Sequence, residues 1–202
     1  MADLFHDKAA DWDQRPVPAQ ISEGVSRAML AAVPFSPDDA VMDFGAGTGL
    51  LAGKIAPRVR SVLAVDVSPA MLEQLAKKPE LQGKVEVFCQ DITAAPLGRT
   101  VDRVVSAMAM HHVEDTAALL RALYAHLRPG GTVALADLDR EDGDFHPPGM
   151  EGVFHAGFDR EALVETMRDA GFVDARVVTA CEVDKGEKRY PVFLATATRP
   201  RD

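Results

Sequence analysis

Three glycines at alternate positions, Gly45, Gly47 and Gly49, follow directly on the apolar run Val41-Met42-Asp43-Phe44 and lead into helix-compatible residues from Leu50. Glycine tolerates positive φ and lets backbone N–H groups approach a ligand, so this stretch predicts a strand, a tight turn and a helix start around a nucleotide-like group. A purely structural turn rarely needs glycine three times, because each one costs backbone entropy. Asp66 closes a second apolar run, Ser61 to Val65, where a carboxylate can accept from two ribose hydroxyls. Asp91 and Ile92 follow a third run, Val85 to Cys89; there Asp91 either accepts from a purine amino group or caps a turn as a solvated carboxylate. Four histidines, His111, His112, His146 and His155, lie on segments expected to converge at one end of the sheet. Imidazole titrates near neutrality, so each either takes a proton from an attacking oxygen or nitrogen or merely bonds backbone.

Spacing separates two cofactor classes. The dinucleotide fingerprint G-x-G-x-x-G would put its third small residue at Leu50, whereas the chain reads G-x-G-x-G with Asp43 two residues before the first glycine. Asp43-Phe44-Gly45-Ala46-Gly47-Thr48-Gly49 resembles the first motif of the class I S-adenosylmethionine-dependent methyltransferases, of the small-molecule type. Val65-Asp66-Val67-Ser68-Pro69-Ala70-Met71-Leu72 is similar to their second motif, and Leu127-Arg128-Pro129-Gly130-Gly131 also resembles the family. The resemblance implies S-adenosylmethionine as cofactor and S-adenosylhomocysteine as product. It implies cofactor contacts from Asp43, Gly45, Ala46, Gly47, Thr48, Gly49, Asp66, Val67, Met71, Asp91, Ile92, Ser106 and Ala107. His111 and His112 are then the candidate catalytic residues, and Trp12, His146 and His155 the candidate substrate residues. Ser106-Ala107-Met108-Ala109 stands where methyltransferases acting on amides and adenine amino groups carry an Asn-Pro-Pro-Tyr type tetrapeptide, which argues against those acceptors.

The elements that must position these residues follow from patterning. Runs 41–44, 61–66, 85–89, 101–106 and 132–138 read as strands, with helices from about Pro18 to Ala32, after Ser68-Pro69, before Leu127 and after Asp159. Phe172 to Val183 and Tyr190 to Thr198 read as a terminal hairpin joined by the charged turn 184–189. The expected fold is α/β: a doubly wound seven-stranded sheet, mostly parallel with an antiparallel C-terminal strand, and helices on both faces. Residues 1–202 are expected to form one domain, with 1–35 as an N-terminal helical cap and 139–158 as a lid or substrate loop.

A chain of 202 residues, 47% hydrophobic, is long enough for a full core. Its 22 basic and 31 acidic residues give a formal charge of −9, which argues against docking on nucleic acid or an anionic membrane. A small-molecule methyl acceptor is the expected partner, for a monomer or homodimer. Cys89 and Cys181 both fall in predicted strands, so buried, reduced thiols are expected rather than a disulfide. His146 and His155 lack compact ligand spacing, so no metal is expected. The stretch Met1 to Asp7 has neither the basic region nor the apolar core of a signal peptide, and a cytoplasmic location is the default. The expected chemistry is in-line displacement at the activated methyl. The alternatives are a non-catalytic S-adenosylmethionine-binding regulatory module and an NAD-dependent oxidoreductase; an RNA methyltransferase ranks last for want of a basic face.

Overall fold

The computed structural model describes residues 3–201; Met1 and Ala2 of the stretch read for a signal peptide lie outside them. Seven strands form one sheet in the order β3-β2-β1-β4-β5-β7-β6. They are β1 (Ala40–Phe44), β2 (Ser61–Asp66), β3 (Val85–Cys89), β4 (Val101–Ala107), β5 (Leu127–Leu138), β6 (Val173–Lys185) and β7 (Lys188–Thr198). β1 pairs in parallel with β2 on one side and β4 on the other, so the chain reverses its winding direction there. That reversal opens a crevice beyond the carboxyl ends of β1 and β4, where open α/β sheets bind ligands.

Alternating side chains of each central strand feed two apolar layers. Val41, Val62, Ala64 and Val105 pack against α1 (Pro16–Ala32), α2 (Leu50–Ile55) and α3 (Pro69–Ala76). Met42, Leu63, Val65 and Val104 pack against α4 (Thr116–His126) and α5 (Arg160–Asp169). Period-two alternation inside continuous apolar runs thus supplies both faces at once, as a sheet covered by helices on each side requires. Helix starts follow local chemistry. Ser68 Oγ accepts from Met71 N with Pro69 at the first helical position, and Asp159 accepts from the Glu161 and Ala162 amides.

Three expectations need correction. The hairpin strands run further than their apolar cores suggest: Asp184 pairs with Arg189 and Lys185 with Lys188, leaving Gly186-Glu187 as the turn, with Gly186 at φ 63°. Charged residues are tolerated there because the hairpin end reaches beyond the packed layers. β5 starts at Leu127 rather than Thr132, since Leu127 pairs with Val101 before a register shift carries Arg103 opposite Thr132. The cysteines are free but not buried: Cys89 is exposed because β3 is an edge strand, and Cys181 is half-buried against α1. No helix among the described residues is long and apolar enough to cross a membrane.

Two helical glycines show which effect wins where. A Cβ on Gly24 would lie 2.5 Å from Cys181 Cβ, while one on Gly53 would meet nothing within 4 Å. Gly53→Ala is expected to raise stability by up to about 1 kcal/mol through helix propensity. Gly24→Ala gains the same term but forces α1 off the sheet at a cost of about 1–3 kcal/mol, so it is expected to be destabilising. Thermal unfolding of both variants should move Tm in opposite directions.

Candidate active site

A cavity of about 850 Å3 occupies the crevice at the carboxyl ends of β1, β2, β3 and β4. Its floor is the turn after β1, where Gly45, Gly47 and Gly49 have φ of 67°, 54° and 83°. The amides of Gly45 and Ala46 donate to Val65 O at 2.8 and 3.1 Å, binding the turn to β2. Added carbon at Gly45 would come 2.2 Å from Ala109 Cβ and at Gly49 2.8 Å from Leu75, so these two glycines permit close packing. Gly47 differs: nothing lies within 4 Å of where its Cβ would be, and it faces the cavity.

Two carboxylates stand over this turn. Asp66 accepts from Gly47 N at 2.8 Å through one oxygen and from Ser68 N at 2.8 Å through the other. Each oxygen keeps a second lone pair, enough for a diol. Burial raises its pKa, and the Ser68 and Gly47 amides partly offset that. Asp43 is 1% exposed, and its Oδ2 has no hydrogen-bond partner among the described residues. Burial, then repulsion from Asp66, push Asp43 up to about 8. A buried, unsatisfied carboxylate oxygen beside a cavity calls for a cationic or hydrogen-donating ligand group.

The amino-terminal segment closes one wall. A 3-10 stretch, His6–Gln14, places Phe5 and Trp12 edge to face with ring centroids 6.0 Å apart, both lining the cavity. It is fastened at two points. Asp3 accepts from Ser68 Oγ at 3.0 Å and Ala70 N at 3.2 Å. Asp13 accepts from Thr48 Oγ1 and pairs with Lys78.

The opposite wall is histidine-rich. His111, 1% exposed, holds its Nδ1 2.7 Å from Oδ1 of the fully buried Asp137, whose Oδ2 accepts from His111 N at 3.2 Å. Its Nε2 lies 3.1 Å from His146 Nε2. His112 Nδ1 lies 2.6 Å from Gly152 O. Burial foremost, then the neighbouring His111, lower both His112 and His146 to about 4, so both are neutral at pH 7. His146 is carried by residues 139–158. Their base is held by the Arg160–Asp139 pair and by Phe154 N donating to His111 O at 2.9 Å. Their tip is held by Tyr190 Oη donating to Asp144 at 2.9 Å, by Lys188 on Asp144 and by Lys185 on Phe145 O.

Asp43, Gly45, Ala46, Gly47, Thr48, Asp66, Val67, Met71, Asp91, Ala107, Trp12, His111, His112 and His146 all line this cavity. Four expected site residues do not. Gly49 is turned beneath the turn against Leu75 and Leu81. Ile92 packs in the core layer containing Phe44 and Val65. Ser106 is buried and donates from Oγ to Phe44 O at 2.8 Å. His155 sits behind the wall, its Nε2 2.9 Å from Val113 O, because the loop backbone it rides on is pinned to His111 O. Asp91 faces the cavity but spends one oxygen on Thr93 N and Oγ1. Asp137, Asp13 and Met108 were missed. Met108, at φ 58°, is a non-glycine residue in the left-handed region at the cavity wall. The available signal for Asp137 was a carboxylate in an otherwise apolar strand, Ala134-Leu135-Ala136-Asp137-Leu138.

A seven-stranded sheet with an antiparallel β7 between β5 and β6, and a glycine turn at its reversal point, is the Rossmann-like fold of the methyltransferases. Residues 41–131 match the family described as a methyltransferase domain. A ubiquinone biosynthesis O-methyltransferase of Xanthomonas campestris is 32% identical over 145 residues, 67% of this chain and 57% of that one. A Haloferax volcanii methyltransferase, solved in complex with the Trm112 methyltransferase activator, superposes with TM-score 0.80 at 20% identity over 99% of both chains. The N-methyltransferase NodS of Bradyrhizobium japonicum, solved with S-adenosylhomocysteine, gives TM-score 0.72 at 17% identity over 98% of this chain and 95% of that one. The chain belongs to the class I S-adenosylmethionine-dependent methyltransferases. It spans about half the length of the curated relatives it matches.

A cofactor cation beside Asp43 is expected to make binding pH-dependent in a definite direction. S-adenosylmethionine carries a sulfonium and an ammonium group, and positive charge near Asp43 favours its ionised form, which burial opposes in the free protein. Binding at pH 7 is therefore expected to release up to about one proton, with affinity rising toward pH 8 and levelling above it. Calorimetry in two buffers of different ionisation enthalpy measures the release, and Asp43→Asn should abolish it.

Proposed function

We propose that this chain transfers the methyl group of S-adenosylmethionine to a small, uncharged acceptor by in-line displacement. The observation that carries the reading is the pair of carboxylates, buried Asp43 and half-buried Asp66, over a glycine turn that leaves room for a ligand. In this reading the turn from Gly45 to Thr48 holds the methionine portion, and Asp66 accepts from the ribose hydroxyls. Asp91 accepts from the adenine amino group with Val67 and Met71 along the ring. When bound, the cofactor supplies an electrophilic methyl carbon whose bond to sulfur breaks as the acceptor's lone pair takes its place.

The protein's own work is position and exclusion of water. Phe5 and Trp12 from the amino-terminal segment and Phe145 and Phe154 from residues 139–158 wall the cavity, and the two segments are fastened to the sheet by the bonds described above. Holding a nucleophile at near-attack distance and in line is worth several kcal/mol, on the order of 7 or more for well-oriented pairs. His111 and His112 flank the expected position of the reacting atoms. Among the described lining residues there is no lysine or arginine, while Asp43, Asp66, Asp91, Glu114 and Asp115 all border the cavity. An anionic acceptor would meet this field without a counter-charge, so a neutral one fits. The Xanthomonas relative is named as an O-methyltransferase of ubiquinone biosynthesis, which supports a small-molecule acceptor.

Calorimetric titration with S-adenosylmethionine, S-adenosylhomocysteine and NAD tests the reading. The first two are expected to bind in the micromolar range. Asp66→Asn, which loses the charge on two ribose hydrogen bonds, should weaken them at least tenfold, given about 1.5–3 kcal/mol for each hydrogen bond to a charged group. Binding of NAD in their place would overturn the assignment.

A further inference from the structure

Helix α1 carries a second polar atom left without a partner. Ser22 is 8% exposed and lines the cavity, and its Oγ makes no hydrogen bond among the described residues. It is the one polar side chain that α1 contributes to the described lining, beside Val17, Pro18 and Ile21. Neighbouring residues fix the direction in which this part of α1 faces. Glu23 reaches Lys54 of α2 at 3.1 Å, whereas Gly24 lies against Cys181 of β6. At about 100° per residue, Ser22 sits on the α2 flank of the buried stripe made by Val25 and Met29. Asp43 faces the same way, toward the Ala52 amide of α2. The two orphan atoms, Ser22 Oγ and Asp43 Oδ2, thus converge on α2, whose first residues Leu50 and Leu51 line the cavity.

Their demands are opposite. An ionised carboxylate oxygen only accepts, while a buried hydroxyl that donates to nothing in the protein has a hydrogen to give. We propose that Ser22 Oγ donates to the carboxylate of the cofactor's methionine portion, while Asp43 takes the ammonium on the same carbon. This rests on the methyl-transfer reading given above and adds a residue of α1 to the cofactor site. A zwitterionic amino-acid end satisfies both orphan atoms at once.

The rest of the site leaves that carboxylate few other partners. The amides of Gly45 and Ala46 donate to Val65 O, that of Gly47 to Asp66 and that of Gly49 to Ala46 O. The glycine turn therefore bounds the methionine portion by its shape, with these N–H groups already spent. Thr48 Oγ1 is spent on Asp13, and no lysine or arginine stands among the described lining residues. A hydrogen bond to a charged group is stronger than one between neutral groups, so an uncharged hydroxyl can anchor a carboxylate. Until it is filled, Ser22 costs the free protein stability: its hydroxyl is desolvated without a bond, and serine is a poorer helix former than alanine. A serine kept at such a position trades stability for binding.

Calorimetry on the full chain compares S-adenosylhomocysteine with its decarboxylated analogue, which keeps the ammonium, and thermal unfolding follows the unliganded protein. Ser22→Ala is expected to weaken S-adenosylhomocysteine about tenfold and to leave the decarboxylated analogue within about twofold. The same substitution should raise the Tm of the free protein, because it removes the unfilled hydroxyl. Asp43→Asn should weaken both ligands, since both carry the ammonium. An equal loss of the two ligands in Ser22→Ala assigns Ser22 to packing and overturns the carboxylate contact, as does an unchanged affinity for S-adenosylhomocysteine. A lower Tm for unliganded Ser22→Ala shows the hydroxyl satisfied within the protein and overturns it too. Failure of the unsubstituted chain to bind S-adenosylhomocysteine at all would instead sink the methyl-transfer reading.

Discussion

Asp66 is the joint on which the site depends. One carboxylate takes the Gly47 amide from the turn after β1 and the Ser68 amide from the start of α3, so the ends of two neighbouring strands are locked at the crevice by one side chain. Ser68 in turn caps α3 through Met71 N and donates to Asp3, which ties the amino-terminal segment to the same point. Charged acceptors bonded to backbone amides are among the stronger hydrogen bonds a protein makes. The glycines matter here because Gly47 at φ 54° is what turns its N–H toward Asp66 rather than away. Turn, helix start and amino-terminal wall are consequently one cooperative unit rather than three.

How far the sequence could be read varies with the range of the interaction involved. Strands β1 to β4 and the order of motifs were legible because short apolar runs and local caps decide them. Asp66 and the glycine turn were legible because they touch residues close in sequence or in the adjoining strand. Ile92, Ser106 and His155 lie off the cavity lining because a sequence gives the neighbourhood of a residue but not the direction of its side chain, and Gly49 does so because the turn carries its backbone beneath the floor. Ile92 follows a cavity residue, Asp91, and points the opposite way into the core. Cys89 was misjudged because exposure depends on sheet order, and β3 lies at an edge that no local pattern announces.

Asp137 shows the same limit from the other direction. A lone acid in the apolar stretch of β5 is costly unless it is paired, and its partners sit 26 residues back, on the short helical turn Met110–His112. Three donors meet it, from His111 Nδ1, His111 N and Leu138 N, so its burial is compensated. The contrast with Asp43 is informative. Both acids are buried in central strands, but Asp43 keeps an orphan oxygen beside the cavity whereas Asp137 is satisfied from within. A carboxylate completed by protein serves to orient and stabilise a neighbour; one left incomplete waits for a ligand.

The two walls of the cavity formed by the amino-terminal segment and by residues 139–158 contain no α-helix or named strand, yet neither is loose. Residues 139–158 are pinned at both ends of their span, and the tip bonds from Lys185, Lys188 and Tyr190 come from the terminal hairpin, whose strands extend beyond the packed layers. That extension therefore has a local physical use: the charged ends of β6 and β7 hold Asp144 and Phe145 from outside the loop, beside the Glu141 carboxylate that accepts from both of their amides within it. Position at this site is supplied by the last strands in the chain acting on a loop that precedes them by some forty residues. A cavity-lining imidazole held through so long a lever is sensitive to changes far from the cavity, since a misplacement of about 1 Å at a reacting centre is enough to cost on the order of a hundredfold in rate.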